Sequence, residues 1–404
     1  MNTAMVPISE LAEVNPKTEL HGLTSDSLVS FVPMADVTES GHWVGRQVRH
    51  LRDVRVGYTV FAENDVLFAK ITPCMENGKG AHVKGLVNNI GFGSTEFHVL
   101  RAKNNNDPRY IFHWLQTKQT RLRAIAYMGG SAGQQRVQKD FFVEYRVPEI
   151  ETTEQSRIAY VLDTIDEAIA RTEVMITKLK QVRAGMLHDL LNYGLDEHGQ
   201  LRDPLAHPEQ FKDSSLGRIP REWDVVKLGD AFSMQAGNFL SSRNIKGFGL
   251  FPVFGGNGLR GYTSTYTHEG EYALIGRQGA LCGNITVVSG QFYATEHAVI
   301  VTPKEEMNVG WIASYLTAMN LNRFSESSAQ PGLSVQKLSH HRIRLPKFPE
   351  QEAIDHQIRT LDQQLDSEAA ALAKLCSLKS GLQDALLTGR VRVRETITKG
   401  AERA

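Results

Sequence analysis

Two long stretches of the chain repeat apolar positions in alternating steps of four and three residues. The first series is Ile158, Leu162, Ile165, Ile169, Thr172, Ile176, Leu179, Arg183, Met186 and Leu190. The second series is Ile354, Ile358, Leu361, Leu365, Glu368, Leu372, Leu375, Lys379, Leu382 and Leu386. Such steps keep a narrow apolar stripe on one side of a helix, which is typical of helices that pair as a coiled coil. Two separate amphipathic helices, each packed on its own globular core, are the alternative.

Polar residues interrupt both series at matching places. Thr172 and Arg183 interrupt the first series, and Glu368 and Lys379 interrupt the second. Because a polar residue in a coiled-coil stripe favours one register over others, we predict that these four residues set the register of the pair.

Local signals mark the ends of the two helices. Thr152 with Gln155 fits a capping box, and Pro349 fits a first-turn proline. Gly194 and Gly389 lie where each helix is expected to stop. A helix from Ile158 to Leu190 would be about 50 Å long at ~1.5 Å per residue.

The helices belong to an internal repeat. The segment "EQSRIAYVLDTIDEAI" from Glu154 parallels "EQEAIDHQIRTLDQQL" from Glu350, and "STEFHVL" parallels "ATEHAVI", which aligns Glu96 with Glu296. Near the N-terminus, "ISELAEV" resembles "VKLGDAF" from Val226. Self-similarity at a fixed spacing indicates two half-copies of roughly 200 residues.

The segments that precede the helices are rich in aromatic and β-branched residues punctuated by glycine, which predicts β-rich globules and an α+β fold. Each globule is expected to hold one short helix, near "PRYIFHWLQTKQTRLRAI" and "VGWIASYLTAMNLNRF". Between the halves, a stretch rich in Gly, Pro and Asp predicts a surface connector. The predicted organisation is an N-terminal segment 1–16, a first globule 17–150, a helix 151–192, a connector 193–220, a second globule 221–349, a helix 350–389 and a basic tail 390–404.

Net charge is zero overall but is distributed unevenly. Residues 17–150 carry 17 basic and 13 acidic groups, and residues 221–349 carry 12 and 9. The helices are acidic, with 5 basic against 7 acidic groups in 151–192 and 3 against 7 in 350–389. Mildly basic globules joined by acidic helices favour nucleic acid as the partner of the globules and protein as the partner of the helices.

The glycines of "FGGNGLRGYTS", residues 254–264, have the G-x-G-x-x-G spacing of a dinucleotide-binding turn. Such a turn must open a helix, whereas "YTSTYT" follows here and is a poor helix former. We therefore predict a tight β-loop that presents side chains, with a plain hairpin turn as the alternative.

Sequence signals of catalysis, metal binding and export are missing. No G-x-x-x-x-G-K-[ST] motif occurs, and the three cysteines lie too far apart in sequence for a metal motif or a disulfide framework. No secretory signal and no apolar run long enough for a membrane span is evident, so we expect a cytoplasmic protein.

The parts resemble the specificity subunit of type I restriction-modification enzymes. The resemblance rests on the connector "GLDEHGQLRDPLAHPEQFKDSSLGRIPREWDVVKLGD", the ending "LKSGLQDALLTGRVRV", and the segments "GGNGLRGYTS", "ALIGRQGA", "ATEHAVI", "FAKITPCMENGKG" and "GSTEF". It implies two target-recognition domains in a pseudo-twofold arrangement, with the long helices paired as an antiparallel coiled coil. The N-terminal segment would complete a circular arrangement.

The resemblance also implies a function without catalysis. Each globule would read one half of a bipartite asymmetric DNA site, and the helix pair would set the gap. The implied partners are double-stranded DNA, two modification subunits that methylate adenine and two restriction subunits. S-adenosylmethionine would belong to the modification subunits, and ATP and Mg²⁺ to the restriction subunits, with no cofactor in this chain.

Candidate DNA contacts are Arg, Lys, Asn and Gln side chains and one Tyr near glycine-rich loops, because these groups bind base edges and phosphates. In the first globule they are Arg46, Arg49, Arg52, Lys70, Asn77, Lys79, Gln134, Gln135 and Arg136. In the second globule they are Asn257, Arg260, Tyr262, Arg277, Gln278 and Gln330. Two rival hypotheses stay open: a non-catalytic coiled-coil scaffold whose globules bind protein or carbohydrate, and an enzyme that uses the glycine loop.

Overall fold

The computed structural model describes residues 4–131, 133–279, 281–325 and 332–393. The chain forms two compact units. The first combines Met1–Glu173 with Ala370–Ala404, and the second is Val174–Ala369. Because both long helices run through these boundaries, each unit contains one part of each helix.

The first unit is built from short strands and helices ahead of the first long helix. Its strands are β1 Met5–Pro7, β2 Ala12–Val14, β3 Leu28–Val32, β4 Gln47–His50, β5 Thr59–Ala62, β6 Val66–Ala69, β7 Gly80–His82, β8 Ile90–Gly93, β9 Phe97–Ala102, β10 Met128–Gly129, β11 Arg136–Val137 and β12 Arg146–Pro148. Its helices are α1 Ile8–Leu11, α2 Leu51–Val54, α3 Pro108–Gln116, α4 Lys118–Ile125, α5 Asp140–Glu144 and the first part of α6 Thr152–Tyr193.

Two four-stranded sheets form the β part of the first unit. Their strand orders are β2-β9-β6-β7 and β4-β3-β8-β5, and two-stranded pairs β1-β12 and β10-β11 lie beside them. The largest core cluster packs α1, α3 and α5 against buried residues of the long helices, including Ile158, Leu162 and Leu387. The start of α6 and the end of the C-terminal helix are therefore integral parts of this unit.

The second unit repeats this plan with longer strands. Its strands are β13 Phe211–Ser214, β14 Gly217–Pro220, β15 Asp224–Lys227, β16 Phe232–Ala236, β17 Phe251–Gly255, β18 Gly258–Thr263, β19 His268–Gly276, β20 Ile285–Ala294, β21 Ala298–Pro303 and β22 Arg342–Leu345. Its helices are α7 Leu228–Ala231, α8 Val309–Ala318, α9 Val335–Ser339 and the first part of α10 Phe348–Leu382, which a π-helical turn at Gln383–Leu387 extends. One six-stranded sheet has the order β16-β21-β19-β20-β17-β18.

Burial along the long helices confirms the predicted stripe. Between residues 171 and 185, only Thr172, Ile176, Leu179 and Arg183 are less than fully exposed, and all four belong to the predicted series. Between residues 369 and 381, the same holds for Leu372, Leu375 and Lys379. Glu368 is also half-buried. The stripe therefore faces a partner helix.

Ion pairs within each unit give the direction of the pairing. In the first unit, Lys379 Nζ lies 2.5 Å from Asp166 Oδ1. In the second unit, Arg183 of α6 pairs with Asp362 of α10. In both units the later part of one helix meets the earlier part of the other, so the helices are antiparallel. Thr172 instead donates its hydroxyl to the carbonyl of Ala168, 3.0 Å away.

The prediction of a capping box at Thr152 is wrong, because Gln155 bonds to another segment. Its Oε1 accepts from the backbone N–H of Asp107 at 3.0 Å, and its Nε2 donates to Ile150 O at 2.8 Å. Gln351 makes the same two bonds in the second unit, to Asn308 N and Pro346 O, each at 3.0 Å. Each glutamine thus ties the start of a long helix to the start of α3 or α8.

Two other expectations from the sequence differ from the structure, and a third agrees with it. The stretch expected to form one helix of the first globule forms two, α3 and α4, because Thr117 ends α3 and its side chain caps α4 through Thr120 N. The connector contains the β13–β14 hairpin, and the adjoining Trp223 is fully buried. Gly194 and Gly389 do end their helices, with φ of 63° and 72°. No helix among the described residues is long and apolar enough to cross a membrane.

Candidate nucleic-acid interface

A corner built from three chain segments recurs in the two units. In the first unit, Lys70 N donates to Glu96 O and Val137 N donates to Lys70 O, both at 2.9 Å. In the second, Arg277 N donates to His297 O at 2.9 Å and Leu333 N donates to Arg277 O at 3.0 Å. Each corner therefore holds a cationic residue directly after a central strand. The repeat in sequence did not reveal that Lys70 and Arg277 correspond.

The glycine loop of the second unit is a tight hairpin turn against this corner. Gly255 pairs with Gly258, and Gly256 and Asn257 form the turn between them. A Cβ at Gly256 would lie 3.1 Å from His297 O and 3.2 Å from Gln278 O, so the backbone approaches the corner closely. No helix follows, so the turn is not a dinucleotide-binding turn, and its presentation of side chains to a ligand stays a prediction.

Several candidate side chains of the second unit surround this turn. Asn257, Arg260 and Gln278 are exposed, and Arg277 and Tyr262 are half-buried. Gln278 Oε1 lies 3.1 Å from His297 Nδ1. The structure thus brings together residues of the "GGNGLRGY" and "GRQGA" segments, while Gln330 lies outside the described residues.

The sequence analysis missed a basic and apolar segment beside the same hairpin. Residues 231–268 contain three cations, Arg243, Lys246 and Arg260, and no Asp or Glu. Backbone hydrogen bonds of 2.8 and 2.9 Å join Lys246 to Tyr262 of β18. Five large apolar side chains of this segment are exposed, and the three most exposed are Phe239, Phe248 and Leu250. The absence of carboxylates over 38 residues was the available signal.

In the first unit, the corner brings Lys70 and the Gln134–Arg136 segment together. Ile71 and Arg136 form a β-bridge, and Thr72 N donates to Gln135 O at 3.0 Å. Arg136 donates from Nε and Nη2 to the Glu96 carboxylate, and this hydrogen bonding lowers the pKa of Glu96. Gln134 is exposed. Arg136 is therefore held by an internal carboxylate, whereas Gln134 is presented to solvent.

Asn77 and Lys79 make internal hydrogen bonds. Asn77 Nδ2 donates to Glu39 Oε1 at 2.8 Å, and Lys79 Nζ donates to Met34 O at 3.1 Å. The loop that carries them is held by the buried Arg121, whose guanidinium donates to Met75 O and Gly78 O. Burial lowers the pKa of Arg121, and its bonds to neutral carbonyls hold the loop in one shape.

The arginines at a spacing of three do not form one stripe. Arg46 precedes β4 and lies 4.0 Å above the Trp43 ring, and Arg49 of β4 lies 3.8 Å above the Phe31 ring. Arg52 lies on α2 and pairs with Asp26. Arg46 and Arg49 are exposed at the edge of a sheet, and Arg46 Nη1 also donates to Lys84 O at 2.7 Å.

The part of the chain that the structure describes contains no cluster of side chains suited to hold a metal ion. No group of three or more His, Cys, Asp and Glu side chains comes close enough there to hold an ion. Cys282 is buried, and burial raises its thiol pKa, which makes it a packing residue.

Comparisons with known proteins agree with the repeated architecture. The family model described as the type I restriction modification DNA specificity domain matches twice, at residues 30–181 and 220–376. The EcoprrI specificity subunit of Escherichia coli is 30% identical over 334 residues, which cover 79% of this chain and 76% of that protein. The EcoEI specificity subunit of Escherichia coli is 37% identical over 157 residues, or 38% of this chain and 26% of that protein.

Solved structures share the fold at low sequence identity. The type I restriction-modification S subunit from M. genitalium aligns with a TM-score of 0.63 and 19% identity over 96% of both chains. A chain from a study of complex assembly and conformational transition in the type I R-M system aligns with a TM-score of 0.55 and 18% identity, over 96% of this chain and 98% of that one. With two domain matches covering most of its length, the chain belongs to the family of type I restriction-modification specificity subunits.

Proposed function

We propose that this chain reads DNA for a type I restriction-modification complex, and that each globule recognises one half of a bipartite asymmetric site. The observation that carries the proposal is the repeated corner, which presents Lys70 in one unit and Arg277 in the other. Two copies of one cationic corner suit two half-sites, because each can bind the duplex with the same geometry while its neighbouring side chains differ.

The chemistry of the second corner suits base edges. Arg277 and Arg260 carry the fork of N–H donors that binds guanine, and Asn257 and Gln278 carry the amide that binds adenine. The tight turn at Gly256 and Asn257 offers a narrow element that fits a groove. In the first unit, Lys70 supplies a cationic donor and Gln134 supplies a side-chain amide. Arg46 and Arg49 are further cations there.

The long helices are proposed to set the unread gap and to dock two modification subunits. Outside the buried stripe, Val174, Met175 and Val182 of α6 and Leu378 of α10 are exposed apolar residues. Exposed apolar side chains on a helix favour further helical partners. The chain itself is proposed to be non-catalytic. S-adenosylmethionine would bind the modification subunits, and ATP and Mg²⁺ would bind two restriction subunits.

The experiment is to sequence methylated adenines in DNA from cells that express the modification subunit with this chain. Wild type should give one bipartite motif. Arg277→Ala with Gln278→Ala should degrade only the half-site read by the second globule, and Lys70→Ala with Gln134→Ala only the other half. Lys304→Ala, which removes an exposed cation of the second globule outside the corner, is the matched control and should leave the motif unchanged.

The rival function is a scaffold whose globules bind protein or carbohydrate. A scaffold would give no motif, and its duplex binding would show no sequence preference at any salt concentration. The acid-free basic segment of the second unit favours DNA over this rival. Loss of both half-sites from either pair of substitutions would contradict the division of reading between the globules.

A further inference from the structure

Phe248 is presented to solvent by a segment that is itself firmly held. Phe248 is 84% exposed, and in sequence it lies between Gly247 and Gly249. A Cβ at Gly249 would lie only 2.9 Å from the Cβ of Tyr262, so the backbone there is pressed against β18. A Cβ at Gly247 would meet nothing within 4 Å. The aromatic ring therefore stands out from an anchored backbone.

The backbone of this segment adds to the edge of the six-stranded sheet. Lys246 N donates to Tyr262 O at 2.9 Å, and Tyr262 N donates to Lys246 O at 2.8 Å. Because β18 is the outer strand of the sheet, these bonds fix Lys246, two residues before Phe248, beside that edge. Leu250, two residues after Phe248, is 77% exposed. Two large apolar side chains, separated by one residue, are thus exposed to solvent.

The charges near Phe248 and Leu250 indicate which kind of partner binds this surface. Arg243, Lys246 and Arg260 are exposed, and within the described residues their side chains form no ion pair. No carboxylate occurs between residues 231 and 268. A DNA-binding surface has an excess of Lys and Arg over Asp and Glu, because these cations neutralise phosphates, whereas lysine is depleted at protein interfaces. The surface is therefore complementary to a polyanion that has apolar planes to contact, which describes duplex DNA.

We propose that Phe248, supported by Leu250, is an apolar wedge that enters a base step of duplex DNA beside the half-site read by the second globule. The inference rests on the proposed function and adds a mode of contact to it. Apolar side chains inserted between base pairs unstack the step and kink the duplex, while flanking cations bind the phosphates. The wedge makes the sequence preference depend on how easily that step unstacks, even where no base edge is contacted.

The test uses the full chain assembled with its modification subunits and duplexes that carry 2-aminopurine at successive positions of the second half-site and its flanks. The wild-type complex should raise the fluorescence several-fold at one step that is separate from the methylated adenine. Phe248→Ser should abolish this rise and weaken duplex binding about 10-fold, and Phe248→Leu should keep most of both. Leu205→Ala, which removes a side chain that is 90% exposed in the connector, is the control and should change neither.

Three outcomes would overturn the wedge. Specific binding and fluorescence that are unchanged in Phe248→Ser would refute it while leaving the proposed function intact. A Phe248→Ser chain that no longer co-purifies with the modification subunits would identify Phe248 as a protein contact. A wild-type complex that shows no site-specific binding would refute the wedge together with the proposed function.

Discussion

Arg183 of α6 forms two hydrogen bonds with the carboxylate of Asp362 of α10, and both residues belong to the second unit. Its Nε and Nη2 both donate, and the Nη2–Oδ2 distance is 2.9 Å. Hydrogen bonding to Asp362 also raises the pKa of Arg183. A polar interruption of the apolar stripe thus finds its partner on the facing helix.

Removal of either partner should destabilise the pairing modestly. We expect Arg183→Met and Asp362→Asn each to lower the free energy of unfolding by about 1 kcal/mol or less, because both side chains are partly solvated. Urea unfolding of the two single variants and the double variant measures the coupling between them. If the two residues interact, the double variant should lose less free energy of unfolding than the sum of the two single losses. Losses that simply add would contradict the interaction.

Removal of the Gln351 side chain should lower the free energy of unfolding more than removal of Arg183 or Asp362. The backbone groups that it hydrogen-bonds lie at the largely buried starts of helices. We expect Gln351→Ala to cost about 1–3 kcal/mol, since it leaves Asn308 N–H and Pro346 O without their partner. Gln155→Ala should give a similar loss in the first unit. Gln363→Ala, on an exposed face of α10, is the matched control. Urea unfolding curves that place Gln351→Ala level with this control would contradict the assignment.

The stability of the first unit should fall as the pH drops below about 6.5. Burial lowers the pKa of His98. Its Nε2 donates to Val137 O at 2.8 Å, and its Nδ1 accepts from Asn15 Nδ2 at 3.1 Å, so both ring nitrogens are engaged in the neutral form. A lowered pKa means that protons bind the unfolded chain better. The contribution is therefore complete above the unfolded pKa and is lost as the pH falls through the folded pKa.

Thermal unfolding at pH 7.5 and 5.5 tests the role of His98. His98→Gln should flatten the loss of stability over this interval, because an amide does not titrate. His21→Gln replaces an exposed histidine and should keep the wild-type slope. An interval above pH 5 also avoids the ordinary titration range of carboxylates. A slope that is identical in wild type and His98→Gln would rule out this histidine as the cause.

Matched insertions in the two long helices should widen the gap between the half-sites. Seven residues added to each helix keep the 4-3 repeat and lengthen the pair by about 10 Å at ~1.5 Å per residue. This corresponds to roughly 3 bp of duplex at ~3.4 Å per base pair. Methylation motifs from cells with the altered chain should show the wider gap and unchanged half-sites. An unchanged gap would refute the proposal that the helices set it.

The loops of the candidate interface show how far prediction from sequence can reach. The hairpin at Gly256 was predictable, because a turn and the strands beside it depend on neighbouring residues. The internal bonds of Asn77 and Lys79 were not, because Glu39 and Met34 lie 38 and 45 residues away in the chain. Exposure of Phe248 was also beyond sequence reasoning, since an apolar residue is usually expected in a core.

The sequence by itself determined the two half-repeats, the long helices with their stripe, the glycines that end them and the α+β class. These features follow from periodicity and backbone preference over a few residues. Only the tertiary structure decided that Arg183 meets Asp362, that Lys379 meets Asp166 and that Lys70 and Arg277 occupy equivalent corners. The physical reason is distance along the chain: Arg183 and Asp362 are 179 residues apart, and nothing local to either residue encodes the other.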